Sequence, residues 1–264
     1  MKKSIQFLNL NKVFWPKEKI TKGDVIQYYR KNSAKILPYL KNRPLTVLRC
    51  PDGIKGECWV QKEAPENLPK FIKTITLGKK NSNEKIQYPV CNNLDSLLWF
   101  VNQGAIEFHI WLSHLPKLNQ PDWMIFDIDL EPGTKLNQAK KAMLLIKKEL
   151  ENLGQKNLWV KTTGKTGLHL LVNVRNLTYL KTRNIARKII NALDKKYPAI
   201  IATEARKEKR KGLVYIDPAQ NARGRTMVAP FSLRAVDGAT ISQPLSWEEF
   251  GKDFKQENYR LFRA

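Results

Sequence analysis

Apolar and polar positions alternate most cleanly over Ala105–Leu112. Ile106, Phe108, Ile110 and Leu112 share one face and Glu107, His109 and Trp111 the other, which is the period of a strand. Trp123 to Phe126 is a second bulky run, continued by Asp127, Ile128 and Asp129. There Phe126, Ile128 and Leu130 take a core face and the two acids the opposite one, until Pro132-Gly133 breaks the strand. Further strands are expected at Arg43–Gly53 (with a turn), Leu158–Thr163, Leu168–Val174 and Leu213–Asp217, and short strands and loops over residues 63–90. Helical spacing takes over at Val25, Ile26, Tyr29, Ile36 and Leu37, with Thr21 and Asp24 as a capping-box start and Pro38 as the far limit. It returns over Asn92–Gly104, over Leu136–Leu153, and over Thr178–Lys195, where Ile185, Ile189 and Ala192 are expected to pack. Strands mixed with helices predict an α/β (α+β) chain.

At 264 residues and 42% hydrophobic content, the chain is long enough for one large domain or two lobes. Charge changes the picture more. Against 24 Asp and Glu stand 47 Lys and Arg, a net charge of +23. That excess runs through folded segments and points to a polyanionic partner, most simply nucleic acid. Cys50, Cys58 and Cys91 lack the paired spacing of a zinc site, and with three histidines a Cys/His zinc cluster is not expected. The odd thiol count and the absence of a signal peptide fit a reducing cytosol, and no apolar run reaches membrane-spanning length.

Within so basic a chain, acids at a strand end are the informative exception. Asp127 and Asp129 point the same way with Cα atoms roughly 6.5 Å apart. Like charges so close repel unless a cation or proton sits between them, and hard divalent ions favour carboxylate oxygens. Taken alone, the pair reads equally as two solvated acids on an exposed face. Asp217 ends another expected strand and supplies a third carboxylate. Three carboxylates beside a basic turn form the kind of site that clamps two metal ions about 3.5–4 Å apart for phosphoryl or nucleotidyl transfer.

The basic turn is Gly164-Lys165-Thr166-Gly167. It is not a Walker A loop: Val160 stands where that loop needs glycine, and a strand follows rather than a helix. Such a turn still offers backbone N–H groups, Thr163 and Lys165 to a triphosphate. Lys22 falls in the first turn of a helix, where backbone N–H groups favour an anion, with Lys12 as a second arm. Trp59 stands near Lys62, either as a core residue or as a stacking platform for a base. His109 reads as a surface histidine or as a phosphate or metal contact. Glu204–Lys211 is a charge run, either a solvated loop or a mobile clamp on a nucleic-acid backbone.

Four ordered segments now carry a resemblance. They are Glu107-Phe-His-Ile-Trp111, the Asp127/Asp129 pair, Thr162-Thr-Gly-Lys-Thr-Gly-Leu-His169, and Asp217-Pro-Ala-Gln-Asn-Ala-Arg-Gly-Arg-Thr-Met-Val-Ala-Pro-Phe-Ser-Leu-Arg234. From about Asn9 to Trp247 the chain resembles the polymerase domain associated with bacterial and archaeal ATP-dependent DNA ligases, within the archaeo-eukaryotic primase superfamily. The resemblance implies a primase-like core of mixed, largely antiparallel sheets flanked by helices. It implies one primase-polymerase domain over 1–264, with a 5′-phosphate-binding and template-contacting part to about residue 90 and a catalytic core over about 91–250.

Asp127, Asp129 and Asp217 match the family's metal-binding catalytic acids. His109, Thr163, Lys165, His169, Gln220, Arg234 and Arg49 match its nucleotide-binding residues. Asn9, Lys12 and Lys22 match a pocket for the 5′-phosphate of a downstream strand. Trp59 falls where an aromatic stacks at the template, followed by Val60 where a second aromatic is common. The implied activity is templated extension of primer 3′ ends at gaps and double-strand breaks in non-homologous end joining. It would use two Mn²⁺ or Mg²⁺ ions and NTPs or dNTPs, with a preference for ribonucleotides. Implied partners are gapped, overhanging or 5′-phosphorylated DNA, an ATP-dependent DNA ligase and a Ku-type end-binding protein, in the cytoplasm of a prokaryote at the nucleoid. The alternatives are a primase that starts strands de novo, a non-catalytic end-bridging module and a two-metal nuclease.

Overall fold

Thr21 caps its helix through both halves of a capping box, its hydroxyl accepting from the Asp24 N–H while the Asp24 carboxylate accepts from the Thr21 N–H. This detail belongs to a computed structural model that describes residues 5–78, 83–130, 134–203 and 212–261. The chain divides into two units that interleave along the sequence. The first comprises Met1–Leu115, Thr226–Ser242 and Glu257–Ala264; the second comprises Pro116–Arg225 and Gln243–Gln256.

The first unit begins with a small ribbon, β1 (Val13–Trp15) and β2 (Ile20–Thr21), leading into α1 (Lys22–Lys31) and α2 (Ser33–Leu40). The single helix expected here is two, divided at Asn32, whose side-chain amide bonds the Tyr28 carbonyl. Pro38 does not end the second; it lies inside α2. After β3 (Leu45–Arg49) and β4 (Trp59–Gln61), a two-stranded ribbon joins β5 (Lys73–Gly78) to β6 (Lys85–Val90). Next come α3 (Leu94–Asn102) and β7 (Ala105–Trp111); much later in the chain comes β13 (Thr226–Val228). The central sheet of this unit runs β13-β7-β3-β4, antiparallel throughout.

Both faces of β7 are covered. Ile106, Phe108 and Ile110 are fully buried as expected, yet Glu107 and Trp111 on the supposedly exposed face are each only 2% exposed. Arg234 and Ala235 meet Glu107 on that face and the Tyr88 ring packs edge-on against Trp111, while residues 229–233 run along β7 from far along the chain. Ala229 N–H donates to the Phe108 carbonyl, Phe108 N–H to Ser232 Oγ, and Leu233 N–H to Tyr29 Oη.

The second unit is built on a six-stranded sheet of order β11-β12-β8-β10-β9-β14. Its strands are β8 (Trp123–Asp129), β9 (Leu158–Thr162), β10 (Leu168–Asn173), β11 (Ile201–Ala202), β12 (Val214–Ile216) and β14 (Pro244–Leu245). All neighbours are antiparallel except β11 and β12. Helices α4 (Leu136–Asn152), α5 (Tyr179–Lys196) and α6 (Trp247–Gly251) pack on this sheet. Met124, Phe126 and Ile128 of β8 are buried there, each such side chain contributing about 1.5–3 kcal/mol by leaving water. Helix α5 buries Ile189 as expected, but its inward stripe runs through Ala186, Ile190 and Leu193, while Ile185 is 38% exposed and Ala192 is exposed as well. Pro132-Gly133 and the charge run Glu204–Lys211 lie outside the described residues.

Cys50 and Cys58 are joined in a disulfide, which corrects the expectation of three reduced thiols. Arg49 and Trp59 are register partners in β3 and β4, so the next residues outward, Cys50 and Cys58, face one another with Cα atoms 4.4 Å apart. Cys91 keeps its thiol, and burial pushes its pKa up. Among the described residues no helix is long and apolar enough to cross a membrane.

Candidate active site

In the second unit, register gathers the acids. His169 of β10 stands opposite Asp127, and across β8's other edge Tyr215 and Ile216 of β12 stand opposite Asp129 and Ile128. Asp217, the next residue, therefore comes level with Asp127, and its N–H lies 3.4 Å from the Asp127 carbonyl. Opposed residues of antiparallel strands project to one side, with Cβ atoms roughly 4.5–5.5 Å apart. Asp217, Asp127 and His169 thus form a row across three strands, and Asp129 follows two residues along β8.

His169 Nε2 lies 3.0 Å from Asp127 Oδ1, and the imidazole is almost wholly buried. Asp217 caps a short 3-10 turn, Pro218–Gln220, its Oδ1 accepting the Ala219 N–H at 2.8 Å. The donors fit a hard divalent ion in kind, being carboxylate oxygens on one face of the sheet. Among the described residues no group of three or more His, Cys, Asp or Glu side chains is drawn together closely enough to hold an ion as it stands. Asp217 leans to its own turn and Asp127 to His169.

The basic turn closes beside this row. Thr163 N–H donates to the Gly167 carbonyl, while Thr163 Oγ1 accepts N–H groups from both Lys165 and Gly167. The hydroxyl thereby shapes the turn, and the Lys165 side chain is left exposed. Gly167 is level with Asp129 and has no room for a side chain: a Cβ there would lie 2.5 Å from the Ile128 carbonyl and 3.0 Å from Asp129 Oδ1. Gln220 ends the 3-10 turn, half-buried.

The first unit holds His109 and Arg234. His109 Nε2 is 2.8 Å from Glu107 Oε2, and Arg234 Nε is 3.4 Å from Glu107 Oε1. Arg49 and Trp59 meet on the same sheet, the guanidinium carbon 5.2 Å from the indole ring. Arg49 also bonds the Gln103 carbonyl and Gln61 Oε1, and burial lowers its pKa. Trp59, 39% exposed, borders a pocket of about 900 Å³.

Residues 8–12 fold over the start of α1. Lys22 N–H donates to the Lys12 carbonyl, Gly23 N–H to the Leu10 carbonyl, and Asp24 N–H to Thr21 Oγ1. The helix-start amides expected to favour an anion are therefore already bonded. What the loop does bring together is cations. Burial, and then the charge of Lys12, lower the Lys22 pKa. Lys22 Nζ bonds the Leu8 carbonyl at 2.8 Å, and Lys12 pairs with Asp52. Asn9 makes the bend with φ of 55°, its carbonyl accepting the Lys12 N–H.

Residues 21–263 match the family described as LigD, primase-polymerase domain. The chain belongs to that family. It is 33% identical over 247 residues to a bifunctional non-homologous end joining protein LigD of Bacillus subtilis, covering 93% of this chain and 39% of the relative. A multifunctional LigD of Mycolicibacterium smegmatis is 26% identical, again over 93% of this chain and 32% of its own length. The chain thus spans less than half the length of these relatives. In fold it superposes on the polymerase domain of Mycobacterium tuberculosis Ligase D, solved in complex with DNA. That match has a TM-score of 0.90 at 23% identity and covers 99% of this chain and 92% of the other.

For a LigD primase-polymerase domain, two residues here carry structural weight that reading the sequence did not assign. Asn221 is fully buried, and its side-chain amide bonds both the N–H and the carbonyl of Ile125, extending the β8 ladder where β12 has ended. Lys161 is register partner to His169 and only 2% exposed. The signal for Lys161 was a lysine inside an apolar strand; for Asn221 no local pattern announces a partner 96 residues away.

Proposed function

We propose that this LigD primase-polymerase domain is a DNA-dependent nucleotidyltransferase that extends primer 3′ ends at gaps and double-strand breaks, with a preference for ribonucleotides. The observation that carries the reading is the row of Asp217, Asp127 and His169 with Asp129 beside it, in a chain of this family. The net charge of +23 supports a nucleic-acid substrate. The relatives' naming as non-homologous end joining proteins supports the pathway, with a DNA ligase and a Ku-type end-binding protein as partners at the nucleoid.

In this reading Asp127, Asp129 and Asp217 hold two Mn²⁺ or Mg²⁺ ions. Bound there, such ions activate a hydroxyl nucleophile and neutralise phosphate charge. His169 holds one Asp127 oxygen in place. In the second unit Lys165, the Thr163 turn and Gln220 are phosphate contacts for a nucleotide, and in the first unit His109, Arg234 and Arg49 are nucleotide contacts. Lys12 and Lys22, with Asn9 shaping their loop, receive the 5′-phosphate across a gap. Trp59 stacks on a template base, with Arg49 supporting its ring.

The test is extension of a labelled primer on a gapped duplex bearing a 5′-phosphate, with each metal, comparing rNTPs with dNTPs. Templated addition favouring rNTPs is expected. Tight binding without addition under either metal would leave an end-bridging module, shortening of the primer a nuclease, and products on bare single strands a primase.

A further inference from the structure

Glu107 is the one acid on β7, and it is as deeply buried as the strand's apolar residues. Burial alone would raise its pKa. The hydrogen bond from His109, the charges of Arg234 and His109, and the Ala235 N–H outweigh that and bring it down to about 2. Its two oxygens divide the work. Oε2 lies 2.8 Å from His109 Nε2; Oε1 accepts the Ala235 N–H at 3.0 Å and faces Arg234 Nε at 3.4 Å.

We infer that Glu107 is a positioning residue for the nucleotide triphosphate, setting His109 and Arg234 in one fixed arrangement. The inference rests on the proposed reading of those two residues as nucleotide contacts and assigns them the triphosphate. The chemistry follows from what an ionised carboxylate can do. It only accepts, so the ring nitrogen facing it must carry a proton. Nε2–H is thereby directed into the protein and the tautomer and ring plane of His109 are set. The same carboxylate neutralises part of the Arg234 charge and fastens the backbone of the next residue, Ala235. The backbone at Arg234 is fastened as well, its main-chain N–H donating to the Thr240 carbonyl. Two basic groups more than 120 residues apart in the chain so share one anchor, and each loses less freedom when a polyanion arrives. A lone buried acid without this role would be costly beside an apolar strand.

The test compares the full chain with Glu107→Gln. Glutamine keeps the shape and an acceptor for the Ala235 N–H, but its amide sets a second donor against His109 Nε2–H and leaves Arg234 without its counter-charge. Affinities for ATP, ADP and AMP are measured by titration, alongside KM and kcat for ribonucleotide addition and the thermal midpoint. E107Q is expected to weaken ATP and raise KM by about tenfold, the scale of one charge-assisted hydrogen bond, with AMP affinity and kcat changed far less. A purely structural role would lower the fraction of active protein and the midpoint, leaving KM and the ATP-to-AMP ratio where they were; that result overturns the inference. H109A and the double variant E107Q/H109A complete a cycle. The effect of E107Q should shrink on the H109A background, and an equal effect on both backgrounds overturns the link to His109. If H109A itself leaves ATP binding unchanged, the triphosphate reading of His109 falls; if H109A weakens it and E107Q does not, only the positioning role falls.

Discussion

His169 and Asp127 face each other across the β8–β10 ladder, with Nε2 3.0 Å from Oδ1. The pair gives the buried imidazole its place in the row of acids, where it orients one carboxylate oxygen of Asp127. Asp217, level with Asp127 on the opposite edge of β8, completes the row.

Removing either β8 acid should therefore end catalysis without removing DNA. Asp127→Ala and Asp129→Ala are each expected to abolish primer extension, while binding to gapped duplex stays within a fewfold of the parent chain. On the proposed reading, an excess charge of +23 spread along the chain would supply phosphate contacts apart from these acids. Near-normal extension by both variants would remove the metal assignment.

Gly167 is a steric prediction rather than a chemical one. A methyl group there meets the Ile128 carbonyl at 2.5 Å, a backbone atom inside a sheet that cannot swing away. Gly167→Ala should cost about 1–3 kcal/mol of stability, the usual scale of overpacking, and shift Asp129 as well. Denaturant unfolding checks the first effect and the metal concentration needed for half-maximal extension the second. An unchanged midpoint would show that the turn can yield.

The paired cations at Lys12 and Lys22 predict a selective loss. Lys12→Ala combined with Lys22→Ala should remove the advantage of a 5′-phosphorylated gap over an unphosphorylated one, and leave extension on the latter close to the parent's. Competition between the two duplexes reads this directly. A preserved preference would place the phosphate elsewhere.

Glu107 predicts how the chain responds to acid. Its pKa is lowered from an ordinary 4.5 to about 2, so its contribution to stability is fully present above about pH 4.5 and is lost as pH falls toward 2. A shift of that size corresponds to about 3 kcal/mol, as an order of magnitude. Urea unfolding between pH 5 and 2.5 should show the parent losing stability more steeply than Glu107→Gln. Parallel curves would mean that the carboxylate is not held ionised by its neighbours.

Much of this was legible along the chain. Alternation placed β7 and β8, and the spacing of Asp127 and Asp129 put them on one face because a strand repeats every two residues. Thr21 and Asp24 announced α1 because a cap needs only residues three apart. Asp217 could be read as a strand-end acid, but not as the neighbour of Asp127, since strand order is a property of the sheet. The same limit hid the cover over Glu107. Periodicity reports two faces of a strand and says nothing of what later folds against either one.

Local rules also failed where tertiary contacts outweighed them. The start of α1 looked open to an anion, yet Lys12 and Leu10 carbonyls fill it, because residues 8–12 return over the helix. Cys50 and Cys58 had no telling spacing, and only the β3–β4 register set them face to face. The sequence by itself determined the longer strands and helices, the excess of positive charge and the strand-end acids, since these depend on neighbours within a few residues. Tertiary structure alone decided the row Asp217–Asp127–His169 and the Glu107 anchor for His109 and Arg234. Glu107 and His109 share a strand face two residues apart, but the contacts of Asp127 with His169 and Asp217 and of Glu107 with Arg234 and Ala235 join residues from about 40 to 128 positions apart, and such pairings are fixed by strand register and packing, which no local pattern encodes.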